Sequence, residues 1–374
     1  MSRIQFKKVI FHVDMDSFYA SCELTAHPEL KEVPFIVGAD PKQGKGRGVV
    51  VSCNYAARKF GVRSGIPISR AWELCPHATY VRPNFELYEQ VSSRVMKQIR
   101  QFADLVEQVS IDEAYLDVTH RIRTLLQDGF EDNEDSVIRD LASSIKSAIA
   151  TSENITCSIG VAESKIVAKI ATDMRKPDGL TIVAPKDTLS FLEPLDVSRI
   201  PGVGKVTQKI LLEEFGVKTI SELRKADPVK LRDRFGKNSV WLLNAAGGMD
   251  ESEVIENWDT ISISGETTFE MDEGDYSRVR EVMFSVAADV HRRTLANGYL
   301  FKNVGIKIRF SGFETHTRSK SLGAYSDSFE LLKRETEKLL SEFYESEKTV
   351  RLIGVKVSNL QKMEEGQTTL AAWR

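Results

Sequence analysis

Along residues 9–161 the apolar residues keep changing their spacing, from short unbroken runs to steps of three and four and back, and few folds satisfy that order. Val9–Val13 is an apolar run that predicts a strand, and helical signals follow from Ser17 to Leu24. Phe35–Val37 and Val49–Ser52 predict strands around a Gly- and Lys-rich turn, Gly38 to Gly48. Tyr88, Val91, Val95, Ile99 and Phe102 fall on one face of a long helix. Leu105–Ile111 and Ala114–Val118 predict two short strands, and Val137, Leu141, Ile145 and Ile149 a second long helix. Ile155, Cys157, Ile159 and Val161 alternate, as in a half-buried strand. This β-α-β-β-α-β order predicts a ferredoxin-like sheet with helices on one face.

A turn at Lys176-Pro177-Asp178-Gly179 is followed by a helical region to about Gly247, and Glu256–Ser264 predicts a linker. A second α+β unit follows: helix Ser277–Asn297, strands Asn303–Phe310 and Thr315–Leu322, helix Ser328–Phe343 and strand Thr349–Val357. From Gln361 the chain is polar and is expected to fray. The 374 residues suit two to three domains at roughly 150 residues each. Net charge is −3, so nucleic-acid binding has to come from local patches. Cys22, Cys53, Cys75 and Cys157 lack C-x-x-C spacing and are expected as reduced, packed thiols. No apolar run reaches the roughly 20 residues of a membrane span, and Met1–Lys8 has no signal-peptide core, so the expected location is the cytoplasm.

Three acids stand at predicted strand ends: Asp14 after the first strand, and Asp112 with Glu113 between the hairpin strands. With the Met15 carbonyl they form a hard oxygen set suited to Mg2+. Asp16 is the residue placed to cap the next helix. Gly38–Gly46 fails as a phosphate-binding P-loop, because Gly46 stands where Ser or Thr is required. Tyr55 and Arg58, three apart on a predicted helix, share a face that can hold a triphosphate. Ile200-Pro201-Gly202-Val203-Gly204-Lys205 opens a helix with its backbone N–H groups free for phosphate and resembles a helix-hairpin-helix, which grips DNA without reading sequence. Lys302 to Lys320 holds five basic residues and one acid, Glu314; Lys307 and Arg309 share one strand face, as do His316, Arg318 and Lys320 on the next strand. A cationic sheet surface tracking a DNA backbone is the expectation, with affinity that falls with salt.

HVDMDSFYASCE, SCNYAARKFGVRSGIP, SIDEAYLD, GVAESKIVAKIATDMRKPDG, IPGVG and SGETTF, in that order, resemble the Y-family DNA polymerases, nearest the polymerase IV (DinB-type) branch, over roughly Val9 to Val357. The resemblance implies an α+β right-hand polymerase. Its ferredoxin-like palm would comprise residues 1–25 and 85–183, small fingers 26–84, and a helical thumb with the helix-hairpin-helix 184–255. A linker at 256–264, an α+β little finger at 265–359 and a tail at 360–374 would complete the chain.

The same resemblance assigns roles. Asp14, Asp112 and Glu113 match the catalytic carboxylates that hold two Mg2+ ions, with the Met15 carbonyl. Tyr19 matches the aromatic steric gate against a ribose 2′-hydroxyl. Tyr55, Arg58, Lys176 and Phe18 match the dNTP contacts, and Val49 and Val51 the roof of the nascent base pair. Gly202, Gly204, Lys205, Lys307, Arg309, Arg318 and Lys320 are the expected DNA contacts. Gln367, Leu370 and Trp373 match a sliding-clamp peptide, anchored by an aliphatic and an aromatic. The implied activity is template-directed, low-fidelity translesion synthesis by a monomer without proofreading, on primer-template DNA and dNTPs and with no membrane partner. Two departures are an acidic insertion, Gln127–Asp135, and valines where alanine would be smaller. A non-catalytic DNA-binding scaffold, or another two-metal enzyme such as a nucleotide cyclase, are the competing readings. The three acids oppose the first, and the helix-hairpin-helix with the basic last domain opposes the second.

Overall fold

The computed structural model describes residues 6–127 and 133–363. Most of the acidic insertion, and Gln367, Leu370 and Trp373, lie outside them. The chain divides into two compact units between Asn257 and Trp258.

In the first unit β1 (Ile10–Met15) leads into α1 (Phe18–Ala26). A small three-stranded sheet follows from β2 (Phe35–Gly38), β3 (Val50–Cys53) and β4 (Thr79–Val81), ordered β3-β2-β4, with α2 (Tyr55–Arg58) and α3 (Ile68–Leu74) between. Its own small core holds Ile36, Val50, Cys53, Val62, Ile68 and Cys75. The chain then returns through α4 (Phe85–Ile99), β5 (Leu105–Gln108), β6 (Glu113–Asp117), α5 (Thr119–Gln127), α6 (Glu134–Glu153), β7 (Cys157–Ala162), α7 (Lys165–Asp173) and β8 (Leu180–Ile182). These strands form one sheet ordered β5-β6-β1-β7-β8. The first strand is central, antiparallel to both β6 and β7.

Phe11, Val13 and Met15 of β1 pack with α4 and α6 residues such as Val95, Ile99, Ile145 and Ile149. The long-helix periodicities are met, since each of those side chains is buried. The other face departs from the one-sided expectation. It is covered by α7, and every residue of β7 is buried. The reason is local: Ser158, Gly160 and Ala162 alternate with the large apolar residues and are small enough for a helix to lie directly on them. A Cβ on Gly160 would stand 2.0 Å from the Ala168 carbonyl oxygen and 2.4 Å from the Thr172 nitrogen. The three-residue β8, within the span expected to be helical, pairs in parallel with β7.

Five helices complete the unit: α8 (Thr188–Leu192), α9 (Lys205–Phe215), α10 (Ile220–Lys225), α11 (Pro228–Phe235) and α12 (Asn238–Ala246). Leu211, Ile220, Leu223, Leu231 and Leu242 close their core. The segment after α12 is tied back to the sheet by a buried pair. Lys165 Nζ stands 2.6 Å from Glu107 Oε2 and donates to the Glu253 carbonyl, while the Ile255 N–H donates to the same Glu107 oxygen.

The second unit is a sheet of β9 (Ser262–Glu273), β10 (Tyr299–Phe310), β11 (Thr315–Ser326) and β12 (Val350–Lys362), ordered β11-β10-β12-β9, with α13 (Tyr276–Ala296) and α14 (Phe329–Ser341). β9 begins inside the expected linker, and β12 continues past Gln361, where fraying was expected; Tyr299 pairs with Lys362. β9 carries almost no apolar alternation, since only Ile263 of its residues is buried, which is why periodicity overlooked it. Val304, Ile306 and Ile308 share a buried face with Val357, Val355 and Ile353 of β12, against α13 and α14.

Candidate active site

Alternation along β1 puts His12 and Asp14 on the face opposite Phe11 and Val13, toward α7. Asp14 is the register partner of Glu113, and the Met15 N–H donates to the Asp112 carbonyl at 2.9 Å. The three acids therefore meet at neighbouring strand ends. Their side chains are engaged separately. Asp14 Oδ1 is 2.7 Å from Lys176 Nζ, Asp112 Oδ1 accepts from Ser110 Oγ at 2.6 Å, and Glu113 pairs with Lys169 and lies 3.4 Å from His12 Nε2. Among the described residues no three acidic, histidine or cysteine side chains close on one point.

The electrostatics of the two end acids differ. Burial raises the Asp14 pKa to about 6, against the opposing pull of Lys176. Hydrogen bonding from His12, then from Lys169, outweighs burial and holds Glu113 down at about 2. Burial pushes His12, 1% exposed, below its ordinary value. Burial also pulls the Lys176 ammonium down, but Asp14 and Asp173 reverse it and the net direction is up. A set of hard carboxylate oxygens facing ammonium groups is chemically suited to a divalent cation, which supplies the same sign of charge in a smaller volume.

Asp16 is no part of that set. It is 3% exposed, and its two oxygens accept from Thr156 Oγ1, Ser158 Oγ and the Asp178 N–H, each at 2.8 Å. The helix after it is capped without a side-chain hydrogen bond, so Asp16 tethers the Asp178 turn rather than capping α1.

Tyr19 is half-buried, its ring 4.6 Å from Tyr88 and 6.2 Å from Phe85, and Asp112 is close enough to add to the burial that raises its pKa. Phe18 buries its ring in the core, so any ligand contact there has to come from its backbone. The four-residue α2 is held in place by Asn54, which caps Ala57 N–H, accepts from Phe35 N–H and donates to the Lys31 and Val33 carbonyls. The Arg58 guanidinium lies 4.6 Å above the Tyr55 ring. Tyr55 Oη and Arg58 Nε are buried and have no hydrogen-bond partner. Burial raises the Tyr55 pKa, and Asp16, Lys176 and Asp14 all act on it, which sets this pair beside the carboxylates. Val49 is 47% exposed and Val51 half-buried, at the start of β3.

Gly202 has φ +91°, with its α-carbon turned toward Trp241, and Gly204 starts α9 without any side-chain cap. The first N–H groups of α9 are thus not taken by a capping side chain, the condition for phosphate binding. The basic residues of the second unit form no single surface. Antiparallel partners point to one face, and His316, Arg318 and Lys320 pair with Ile308, Ile306 and Val304. They therefore lie on the helix side, where Arg318 sits 5.1 Å above Phe343 and pairs with Glu342. Lys307 and Arg309 lie on the open face with Thr317, Thr315 and Lys356. Lys307 is paired with Glu266, and Arg309 Nε donates to Thr315 Oγ1. Sequence reasoning passed over Lys169 and His12. The signals were there: Lys165 and Lys169 are four apart on one helix, and His12 has the strand parity of Asp14.

The fold and this arrangement of acids, aromatic rings and basic side chains point to a nucleotidyltransferase, and comparison with known proteins agrees. The impB/mucB/samB family model matches residues 13–173, its C-terminal domain residues 260–370, and the helix-hairpin-helix motif of the same family residues 185–217. The chain is 41% identical over 364 residues to "DNA polymerase IV 2" of Methanosarcina mazei, covering 97% of this chain and 95% of that one. A Y-family DNA polymerase chimera superposes with a TM-score of 0.84 at 30% identity, over 95% of this chain and all of the other. An insertion ternary complex of the Dbh DNA polymerase has a TM-score of 0.65 at 30% identity over the same shares. The chain belongs to the impB/mucB/samB family of Y-family DNA polymerases and is a DNA-directed DNA polymerase. Within it, the chain stands in the DinB-type branch, the polymerases IV.

Proposed function

We propose that the chain extends primer-template DNA with dNTPs at low fidelity, past damaged bases and without proofreading. In this reading residues 1–25 and 85–183 are the palm, 26–84 the fingers, 184–255 the thumb, 256–264 the linker, 265–359 the little finger and 360–374 the tail. The observation that carries the reading is the pair of buried, partnerless polar atoms on Tyr55 and Arg58 beside Asp14. Groups of this kind are costly to bury unless a ligand satisfies them. A nucleotide triphosphate fits that demand, and one of the matched structures is named as an insertion ternary complex.

Asp14, Asp112, Glu113 and the Met15 carbonyl are the residues that would hold two Mg2+ ions. Their chemistry when bound is to draw charge from the primer 3′-hydroxyl and the α-phosphate. Everything else falls to the chain itself. Tyr55, Arg58 and Lys176 grip the triphosphate and line its α-phosphate up with the primer end, a positioning effect. The Tyr19 ring fills the space a 2′-hydroxyl would need, and the Phe18 backbone borders it. Val49 and Val51 roof the base pair, and their bulk limits which lesions fit. Gly202, Gly204 and Lys205 take DNA phosphates at the N-terminus of α9, and Lys307 and Arg309 take others on the open sheet face. The likeness to a clamp peptide makes Gln367, Leu370 and Trp373 the anchor to a sliding clamp.

Primer extension by wild type beside Asp112→Asn and Tyr19→Ala tests the reading. Asp112→Asn is expected to lose at least about 100-fold in rate, as loss of one transition-state contact does elsewhere. Tyr19→Ala is expected to gain rNTP incorporation. A folded, DNA-binding wild type that adds no nucleotide would leave the scaffold reading in its place.

A further inference from the structure

The residue that the family resemblance gives to the triphosphate is, in this structure, bonded to an acid given to the metal. Lys176 Nζ lies 2.7 Å from Asp14 Oδ1 and 3.1 Å from Asp173 Oδ1. It stands just beyond α7, on a turn whose backbone is pinned. The Asp178 N–H donates to Asp16 Oδ2, and Lys146 Nζ holds Asp178 Oδ1 at 2.6 Å. The backbone is therefore fixed, and the side chain alone can change partner.

Lys169 makes a useful contrast. It grips Glu113 but is also within 3.3 Å of His12 Nε2, in a pocket where His12 is further bonded to Thr172. Its second partner is a buried ring that stays where it is. Lys176 has as second partner Asp173, half-exposed at the end of the helix. The Tyr55 hydroxyl, buried without a partner, is near enough for the Lys176 charge to act on it. Its surroundings thus provide a cation with two places to be: against Asp14, or against an anion held by Tyr55 and Arg58. An ammonium is a compact point charge on a flexible stem and can make such a move where a guanidinium fork could not.

We propose that Lys176 exchanges partners, holding Asp14 while no divalent cation is bound and passing to the nucleotide phosphates when one binds. The inference rests on the metal and triphosphate assignments above and adds a coupling between them. A divalent cation arriving at Asp14 releases Lys176 for the nucleotide, and a nucleotide that draws Lys176 away opens Asp14 to the cation. Each ligand then tightens the other by the same factor. Lys169, anchored by His12, stays with its acid and carries no such coupling.

The test uses the full chain without DNA and Mn2+ as the probe, counted by electron paramagnetic resonance with and without a non-reactive α,β-imido deoxynucleoside triphosphate. Wild type, Lys176→Met, Lys176→Gln, Lys169→Met and Asp14→Asn are compared, each checked for folding by circular dichroism. Both Lys176 variants are expected to bind Mn2+ alone about tenfold more tightly, the scale of one modest coupling free energy. They are also expected to lose the nucleotide's enhancement of Mn2+ binding. Lys169→Met is expected to tighten Mn2+ as any nearby loss of positive charge would, and to keep that enhancement. If Mn2+ binding depends on Asp14 while the Lys176 variants keep the wild-type enhancement, the exchange is wrong and the metal assignment survives. If Asp14→Asn binds Mn2+ as wild type does, the metal assignment fails and the exchange with it.

Discussion

Tyr55 and Arg58 each bury a polar atom that the protein itself leaves unsatisfied. Tyr55→Phe therefore removes no internal hydrogen bond, and its thermal midpoint is expected to match or exceed wild type. Nucleotide binding is another matter. A hydrogen bond to a charged group is worth about 1.5–3 kcal/mol, so dNTP affinity is expected to fall roughly 10- to 100-fold. Calorimetry and the KM for dNTP in primer extension read the two effects separately; a large drop in melting temperature would show that the hydroxyl is structural. The cysteines give a second check. Burial pushes the Cys22 and Cys157 thiols from 9.0 up to about 12. Because the thiolate is the nucleophile, neither is expected to react with iodoacetamide at pH 8 in the folded chain, as followed by mass spectrometry. Both folded values are raised, so the folded state holds protons the unfolded chain loses. Their stabilising effect is intact below about pH 9 and is lost as pH climbs toward 12.

What α7 does to the sheet illustrates how far patterns reach. The long helices were legible because Tyr88, Val91, Val95 and Ile99, and Val137, Leu141, Ile145 and Ile149, mark one face each, and a single large core satisfies both. β7 was legible as a strand but not as one buried on both sides, because Ser158, Gly160 and Ala162 are neutral to any hydropathy count and acquire meaning only with a helix against them. β9 and β8 were missed for other reasons: β9 fully buries only Ile263, and β8, whose Leu180 and Ile182 pack on the main core, is three residues long and too short for alternation to register. Carboxylate positions could be read from strand ends, whereas the pairing of Lys169 with Glu113 and of Lys176 with Asp14 could not, since it depends on how α7 and the turn after it lie over the sheet. The opposed faces of Lys307 and Arg318 likewise depend on strand register, which one strand's sequence does not contain. The packing of α7 is directly testable through Gly160→Ala. The added carbon meets backbone rather than a side chain that can swing away. Overpacking of this sort costs about 1–3 kcal/mol, and α7 carries Lys169 with it. The expected result is a melting temperature several degrees lower and a fall in kcat larger than any change in dNTP KM. Unchanged stability would mean that α7 rides above the sheet more loosely than the close contact implies.

Each of the two units has a hydrophobic core of its own, and the boundary lies in a stretch with few regular elements. A chain cut between Asn257 and Trp258 is expected to yield two fragments that each unfold cooperatively in calorimetry. The first, holding Asp14, Asp112 and Glu113, is expected to keep slow primer extension while losing affinity for primer-template DNA, and the salt dependence of that affinity should weaken with the loss of Lys307 and Arg309. A fragment 1–257 that melts without a transition would show that the units depend on each other for folding. The order of the large sheet also bears on how the chain is born. Its middle strand is the first one made, and its two neighbours, β6 and β7, begin at residues 113 and 157. At roughly 5–20 residues per second, the segment Ile10–Met15 leaves the ribosome on the order of ten seconds before it can be paired on both sides. Pairing with β6 alone brings Asp112 and Glu113 to Asp14, so the three acids can gather once about a third of the 374 residues has emerged, while the other edge of β1 still waits for β7. Gathering of the acids thus precedes completion of the sheet, and Lys169 and Lys176, which follow β7 in the chain, arrive at carboxylates already in place.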